Sequence, residues 1–244
     1  MPKVVSSGTP ATIFGANLKA WYSPTLGRTG SSPVTAWADQ SGVGQDLTAT
    51  GSPTYSATGF GGVSPGITII AASNLHRNSS FTIGPSNILS VCMVIDISST
   101  ADSQHVMSFV SPSGNHDVAP SFSIAYDHSF PEIYGYTQSP TLIAGTSGNL
   151  ATATQQTVLL VFDGAHAQLY LGSSGAFVAS GTAQTFSTTV GGTNGSIFFG
   201  QQDGGGGGQS LLAIGDVVFT DTAMTSQNRT DLYTYLKATY PGLP

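Results

Sequence analysis

The chain holds one glutamate, Glu132, and one cysteine, Cys92, in 244 residues. A lone cysteine excludes an intrachain disulfide and a four-cysteine zinc site. It stands in the run Leu89-Ser90-Val91-Cys92-Met93-Val94-Ile95, the setting of a buried small side chain rather than a catalytic thiol. Cations are scarce too. Six Lys and Arg stand against twelve acids, for a net charge of −6, and none lies between Arg77 and Arg229. Without a basic cluster, neither phosphate neutralisation of nucleic acid nor attraction to an anionic membrane is expected. Charged residues make up 7%, against a usual figure of about 25%. The polar surface is therefore hydroxyl-rich rather than ionic. No apolar run approaches the ~20 residues that span a bilayer. The segment Met1 to Gly8 lacks the apolar core of a secretion signal.

What is present reads as short strands and turns. Residues 1–17, with Pro2 and Pro10, are expected to form an extended arm, and residues 18–244 one domain. Ile88 to Ile97 is the clearest strand. Leu89, Val91, Met93, Ile95 and Ile97 share one face by period two, and Cys92 and Val94 make the other face apolar, so the strand is expected at the centre of a sheet. Asp163-Gly164-Ala165-His166 reads as a hairpin turn between Thr157–Phe162 and Ala167–Leu171. One helix is expected at the C-terminal end. Thr225 is its N-cap, Leu232, Leu236 and Tyr240 form its apolar stripe, and Pro241-Gly242 stop it. The stripe is expected to cover a sheet edge or an end of the sandwich.

Several of these pieces carry a resemblance: Leu18 with Ala20-Trp21-Tyr22, then Trp37-Ala38-Asp39-Gln40-Ser41-Gly42 with Asp46-Leu47. Thr157 to Gly164, Leu169-Tyr170-Leu171, Ala213 to Phe219 and Tyr235-Leu236 complete it. In that order they resemble the laminin-G-like (concanavalin A-like) lectin/glucanase superfamily, of the kind found in phage virion proteins. The resemblance implies an all-β fold, a two-sheet antiparallel jelly-roll sandwich with one short C-terminal helix. Asp39-Gln40-Ser41-Gly42 is expected to be a turn locked by side-chain hydrogen bonds.

The catalytic sets known on such a fold are sought next. Paired-carboxylate glycoside cleavage needs two acids flanking the scissile bond. No carboxylate lies two or four residues from Glu132, and Asp127 is five before it. A pair built on alternation along one strand is therefore excluded. A lyase needs a His or Tyr base with a cationic partner, and the central strands carry none. The Gly-x-Ser-x-Gly elbow is absent. The run Gly204 to Gly208 lacks the Lys and Ser/Thr of a phosphate loop and reads as a hairpin loop. Asp102, His105, His116, Asp117, Asp127 and His128 show no ligand spacing. No cofactor is expected, and calcium is the ion the resemblance implies if one is held through aspartates and loop carbonyls. Sugar binding needs rings beside neutral polar groups. The candidates are Tyr126, Asp127 and His128, then Tyr134, Tyr136 and Gln138, then Gln201 and Asp203.

These readings converge on an expected function. The chain is expected to be a non-enzymatic structural protein of a phage virion, a head decoration or a fibre or tail element. It would be assembled in the host cytoplasm and released by lysis; outside a virion it is expected to be extracellular. Capsid or tail proteins, copies of itself in a trimer, and cell-surface polysaccharide are its expected partners, with no nucleic acid and no membrane. A stand-alone bacterial carbohydrate-binding or adhesion protein is the alternative, and a glycan-degrading enzyme the third reading.

Overall fold

A computed structural model describes residues 8–60, 62–70, 72–84, 87–97, 104–111, 119–127, 132–137, 142–143, 155–186, 189–201 and 212–244. The elements run α1 (Pro10–Phe14), β1 (Leu18–Tyr22), β2 (Arg28–Gly30), β3 (Val34–Trp37), β4 (Leu47–Thr50) and β5 (Thr54–Phe60). Then come β6 (Ser64–Ile69), β7 (Asn74–Ile83), β8 (Ile88–Ile97), β9 (Gln104–Val110), β10 (Phe122–Asp127) and β11 (Glu132–Thr137). The chain closes through β12 (Leu142–Ile143), β13 (Gln156–Asp163), β14 (His166–Ser173), β15 (Ala176–Thr185), β16 (Gly192–Phe199), β17 (Leu212–Thr220) and α2 (Ser226–Thr239).

The strands make two antiparallel sheets, as the jelly-roll expectation requires. One is ordered β15-β14-β13-β8-β17-β6-β5, with β1 also paired to β17; the other is ordered β12-β11-β10-β9-β16-β7-β4-β3-β2. Their inner faces interdigitate over Tyr22, Trp37, Phe81, Phe109, Phe122, Phe162, Phe199 and Phe219, all buried. A second apolar layer lies outside the eight-stranded sheet. There Cys92, Val94, Leu159 and Val218 meet Phe14 of α1 and Leu232, Leu236 and Tyr240 of α2. This explains why β8 is apolar on both faces: one faces the core and the other the helices. The α2 stripe lies across a sheet face, not across an edge or an end. Thr225 caps α2, its hydroxyl accepting from the Asn228 N–H, and Asn228 reciprocates. Within the segment read as an extended arm, residues 10–14 are instead a helical turn that buries Phe14. Among the described residues no helix is long and apolar enough to cross a membrane.

Two polar devices hold the layers in register. The Asp39 carboxylate accepts from the backbone N–H groups of Trp21, Ser41, Gly44 and Gln45 and from the Ser41 hydroxyl, at 2.7–3.1 Å. That is the locked turn the sequence predicted. Gln45, almost wholly buried, then bridges the sheets. Its amide donates to the carbonyls of Lys19 in β1 and Thr82 in β7, at 2.7 and 3.0 Å, and accepts from the Thr82 N–H at 2.6 Å.

The second device is Asp216, 1% exposed. A register shift between Ile214 and Val217 interrupts the pairing of β17 with β8 there. Gly215 leaves room for Tyr240, whose ring a Cβ would meet at 2.8 Å. The Asp216 carboxylate accepts from Trp21 Nε1 at 3.1 Å, the Tyr235 hydroxyl at 2.6 Å and the Tyr240 hydroxyl at 2.8 Å. Burial raises its pKa above the ordinary carboxylate value, and those donors offset part of the rise. Burial likewise pushes the Cys92 thiol far above its usual range.

Candidate functional site: the outer face of the nine-stranded sheet

Both α-helices pack on the eight-stranded sheet. Among the described residues no helix covers the outer face of the other sheet, although Phe198, Ser108, Ser123 and Ala125 near its middle are buried. Register lays a row across it: Thr48, His76, Phe198, Ser108, Ser123, then position 136. At the His76 end a pocket of about 260 Å3 opens, lined by Thr50, Asn74, His76, Asn78, Phe198 and Gln201. That is just below the ~300–1,000 Å3 of drug-sized sites, so it suits a single sugar ring.

The polar wall of the pocket is ordered by its own hydrogen bonds. The Asn74 amide nitrogen donates to Gln201 Oε1. The Asn74 carbonyl is thereby an acceptor, and His76 Nδ1 lies 2.7 Å from it. His76 then carries its proton on Nδ1, leaving Nε2 with a lone pair beside the Thr48 hydroxyl at 3.4 Å. Burial lowers the His76 pKa, so the ring is neutral at pH 7. It stacks on Phe198, with ring centroids 6.0 Å apart and planes at 17°. Neutral amides and the partly exposed His76 ring can hydrogen-bond sugar hydroxyls, and Phe198, itself buried, backs that ring.

The structure distributes the predicted sugar-binding residues unevenly. Gln201 is in the pocket wall. Tyr126 is a correction. It is fully buried among core residues between the sheets, because strict alternation along β10 turns its position inward with Phe122 and Ile124. Positions 127, 134 and 136 fall on the outer face by the same alternation, at register positions opposite Glu132, Ala125 and Ser123. His128, Gln138 and Asp203 lie outside the described residues, as does the glycine run.

That register also revises the search for paired acids. Asp127 and Glu132 are directly opposed partners in the β10–β11 ladder. A separation of five along the chain hides this, because a hairpin pairs residues across its turn, not along one strand. Opposed positions of an antiparallel pair have Cβ atoms about 4.5–5.5 Å apart. His105 pairs with Ala125 on the same face. Among the described residues, no three His, Cys, Asp or Glu side chains are placed to hold a metal. Sequence reasoning missed Asn74, His76, Asn78 and Phe198, which come from strands far apart in the chain.

No protein-family model matches the chain, and no curated protein matches it in sequence. Solved structures do match in fold. Domain 4 of AbnA, an extracellular GH43 arabinanase of Geobacillus stearothermophilus, in complex with arabinotriose, is 16% identical with a TM-score of 0.59. The match covers 89% of this chain and 98% of that one. A mutant GH54 α-L-arabinofuranosidase soaked with 4-nitrophenyl α-L-arabinofuranoside is 12% identical with a TM-score of 0.71, over 97% of this chain and 66% of that one. A Trypanosoma rangeli sialidase bound to sialic acid is 13% identical with a TM-score of 0.62, over 93% of this chain and 34% of the enzyme. This chain thus spans less than two thirds of both enzymes' lengths. The matches overturn the expectation of a non-enzymatic phage virion protein. The structures named here come from glycoside hydrolases, and none is a capsid, tail or fibre protein. At these identities the likeness fixes the fold, a β-sandwich of the kind used by sugar-binding and glycosidase domains.

Proposed function

We propose that the chain is a glycan-degrading enzyme whose chemistry lies where β10 pairs with β11, on the side of the nine-stranded sheet that also holds the His76 pocket. The observation that carries this reading is the opposition of Asp127 and Glu132 on the face that also holds the His76 pocket. Retaining glycosidases set two carboxyl groups about 5–5.5 Å apart, one as acid/base and one as nucleophile. Opposed strand positions have Cβ atoms about 4.5–5.5 Å apart, which leaves such a separation within reach of an Asp and a Glu. The pocket lies three strands over from β10, and Asp127 four residues along β10 from the shared row. At strand spacings of ~4.8 Å and ~3.4 Å per residue the two are about 20 Å apart. One sugar ring cannot reach both, so the pocket is a remote subsite for an oligosaccharide. The similar structures carry arabinose-based and sialic acid ligands, which makes arabinan, aryl arabinofuranosides and sialosides the substrates to assay.

The test is kinetic. Asp127→Asn and Glu132→Gln should each lower kcat at least 100-fold, since positioned acid–base groups supply about 10²–10⁴, with thermal unfolding unchanged. Phe198→Ala should raise KM for oligosaccharides while leaving kcat, and turnover of a short aryl glycoside, intact. Undiminished turnover in the Asp127→Asn/Glu132→Gln double variant, or no turnover on any of the three substrate classes, would falsify the proposal.

A further inference from the structure

The opposite face of the sandwich carries a second cavity, of about 240 Å3, between β13–β15 and the start of α2. Its walls include Asp163, His166, Gln168, Tyr170, Met224 and Arg229. Arg229 sets its character. The guanidinium lies over the Tyr170 ring, 4.5 Å from the centroid, and donates through one terminal nitrogen to the Met224 carbonyl at 2.9 Å. Stacking and this bond fix the plane of the fork. The other terminal nitrogen and Nε make no hydrogen bond among the described residues, and no carboxylate there pairs with Arg229. Among the described Lys and Arg only Lys19 pairs with a carboxylate, that of Asp221. Arg28 donates to the carbonyls of Pro24 and Gly30, Arg77 to those of Gly44 and Asp46, and Lys237 to those of Pro241 and Leu243.

The one acid in the cavity wall is already engaged. Asp163 Oδ1 accepts from the backbone N–H groups of Ala165 and His166 at 2.9 and 2.7 Å, in a turn that Gly164 closes at φ 102°. Its Oδ2 lies 3.5 Å from His166 Nδ1, which holds the imidazole toward the same cavity wall. The backbone bonds keep the Asp163 pKa below its ordinary value. The arrangement leaves a pinned planar cation at one end and a hydrogen-bonding imidazole at the other, in a space sized for one ring.

We propose that this cavity is a second carbohydrate site that takes an acidic sugar, its carboxylate held by Arg229 and its hydroxyls by His166 and Gln168. A carboxylate matches the guanidinium fork with two parallel N–H···O bonds, which a point charge does not reproduce. The two sites lie on opposite faces, so one molecule can hold two glycan segments at once. This extends the reading of the chain as a carbohydrate-engaging protein but does not rest on the Asp127–Glu132 chemistry.

Binding of methyl β-D-glucuronoside to the full chain tests it, by calorimetry or NMR titration, with the methyl ester of that sugar, methyl β-D-glucoside and sodium acetate as comparison arms. Binding of the uronoside should exceed that of the ester and the glucoside at least tenfold. It should fall at least tenfold in Arg229→Gln, fall partly in Arg229→Lys, which keeps the charge but loses the fork, and persist in Phe198→Ala. Equal binding of ester and acid overturns the proposal, as does an unaffected Arg229→Gln variant. So does an absence of uronoside binding at millimolar concentration. Acetate binding as tightly as the uronoside overturns the sugar assignment. Loss in Phe198→Ala with retention in Arg229→Gln would place the ligand on the other face and also overturn it.

Discussion

Asp216→Ala should destabilise the protein by about 3–5 kcal/mol. Three donors converge on that carboxylate, from Trp21, Tyr235 and Tyr240. Truncation leaves Trp21 Nε1 and the Tyr240 hydroxyl unpaired in buried positions, at about 1–3 kcal/mol each, while the partly exposed Tyr235 hydroxyl can turn to solvent. Relief of the carboxylate's own desolvation returns part of the loss. In a chain of this size the change should lower Tm by roughly 6–20 °C. Asp216→Asn should cost less, since it keeps one acceptor while turning an amide toward donors. The two variants differ from the parent in pH dependence as well. The folded-state pKa of Asp216 is raised, so the folded protein binds the extra proton. The stability this contributes is fully present below the unfolded carboxyl value of about 3.9. It is lost as pH rises through the folded value. The advantage of the parent over Asp216→Asn should therefore shrink as pH rises from 4 toward neutrality. Urea melts at several pH values measure both effects. A loss under about 1 kcal/mol for Asp216→Ala would show that the network does not hold α2 to its sheet.

Trp37→Ala should cost about 3–5 kcal/mol, the usual loss for emptying a large aromatic site in a core. Its side chain is fully buried, leans on Tyr22 at a centroid distance of 5.5 Å, and donates through Nε1 to the Ser23 carbonyl at 2.8 Å. Trp37→Phe keeps most of the volume and loses that bond, so about 1–2 kcal/mol is expected. Chemical denaturation should show the midpoint moving with the slope unchanged. A midpoint shift in Trp37→Ala no larger than in Trp37→Phe would mean the neighbours collapse into the space, and the packing argument would fail.

How much of this was legible in sequence follows from which interactions are local. β8 declared itself because continuous Leu, Val, Met and Ile leave no wet face. The Asp163–His166 turn and α2 were legible because caps and turns act within a few residues. β5 and β7 were not. Their stretches, Thr54–Phe60 and Asn74–Ile83, are rich in Ser, Thr and Asn, and few of their side chains are buried. Only pairing with distant strands makes them strands. α1 is not legible in the sequence, since five residues give no period and its only strong signal is Phe14. A tyrosine beside Asp and His suggests a sugar-binding ring, which is why Tyr126 stands among the candidates. Its register places it instead with the inward set of β10. The His76 pocket was invisible for a simple reason: His76 meets Phe198 only because β16 is threaded beside β7.

The single thiol, sealed beneath α2, offers a practical handle. Only the thiolate reacts with alkylating reagents, and burial suppresses it at Cys92. Modification should therefore wait for α2 to lift or the whole molecule to open. At saturating reagent the labelling rate becomes the opening rate. Mass spectrometry of the alkylated chain thus gives each variant above a clock for kinetic persistence, with no dye, tag or added cysteine.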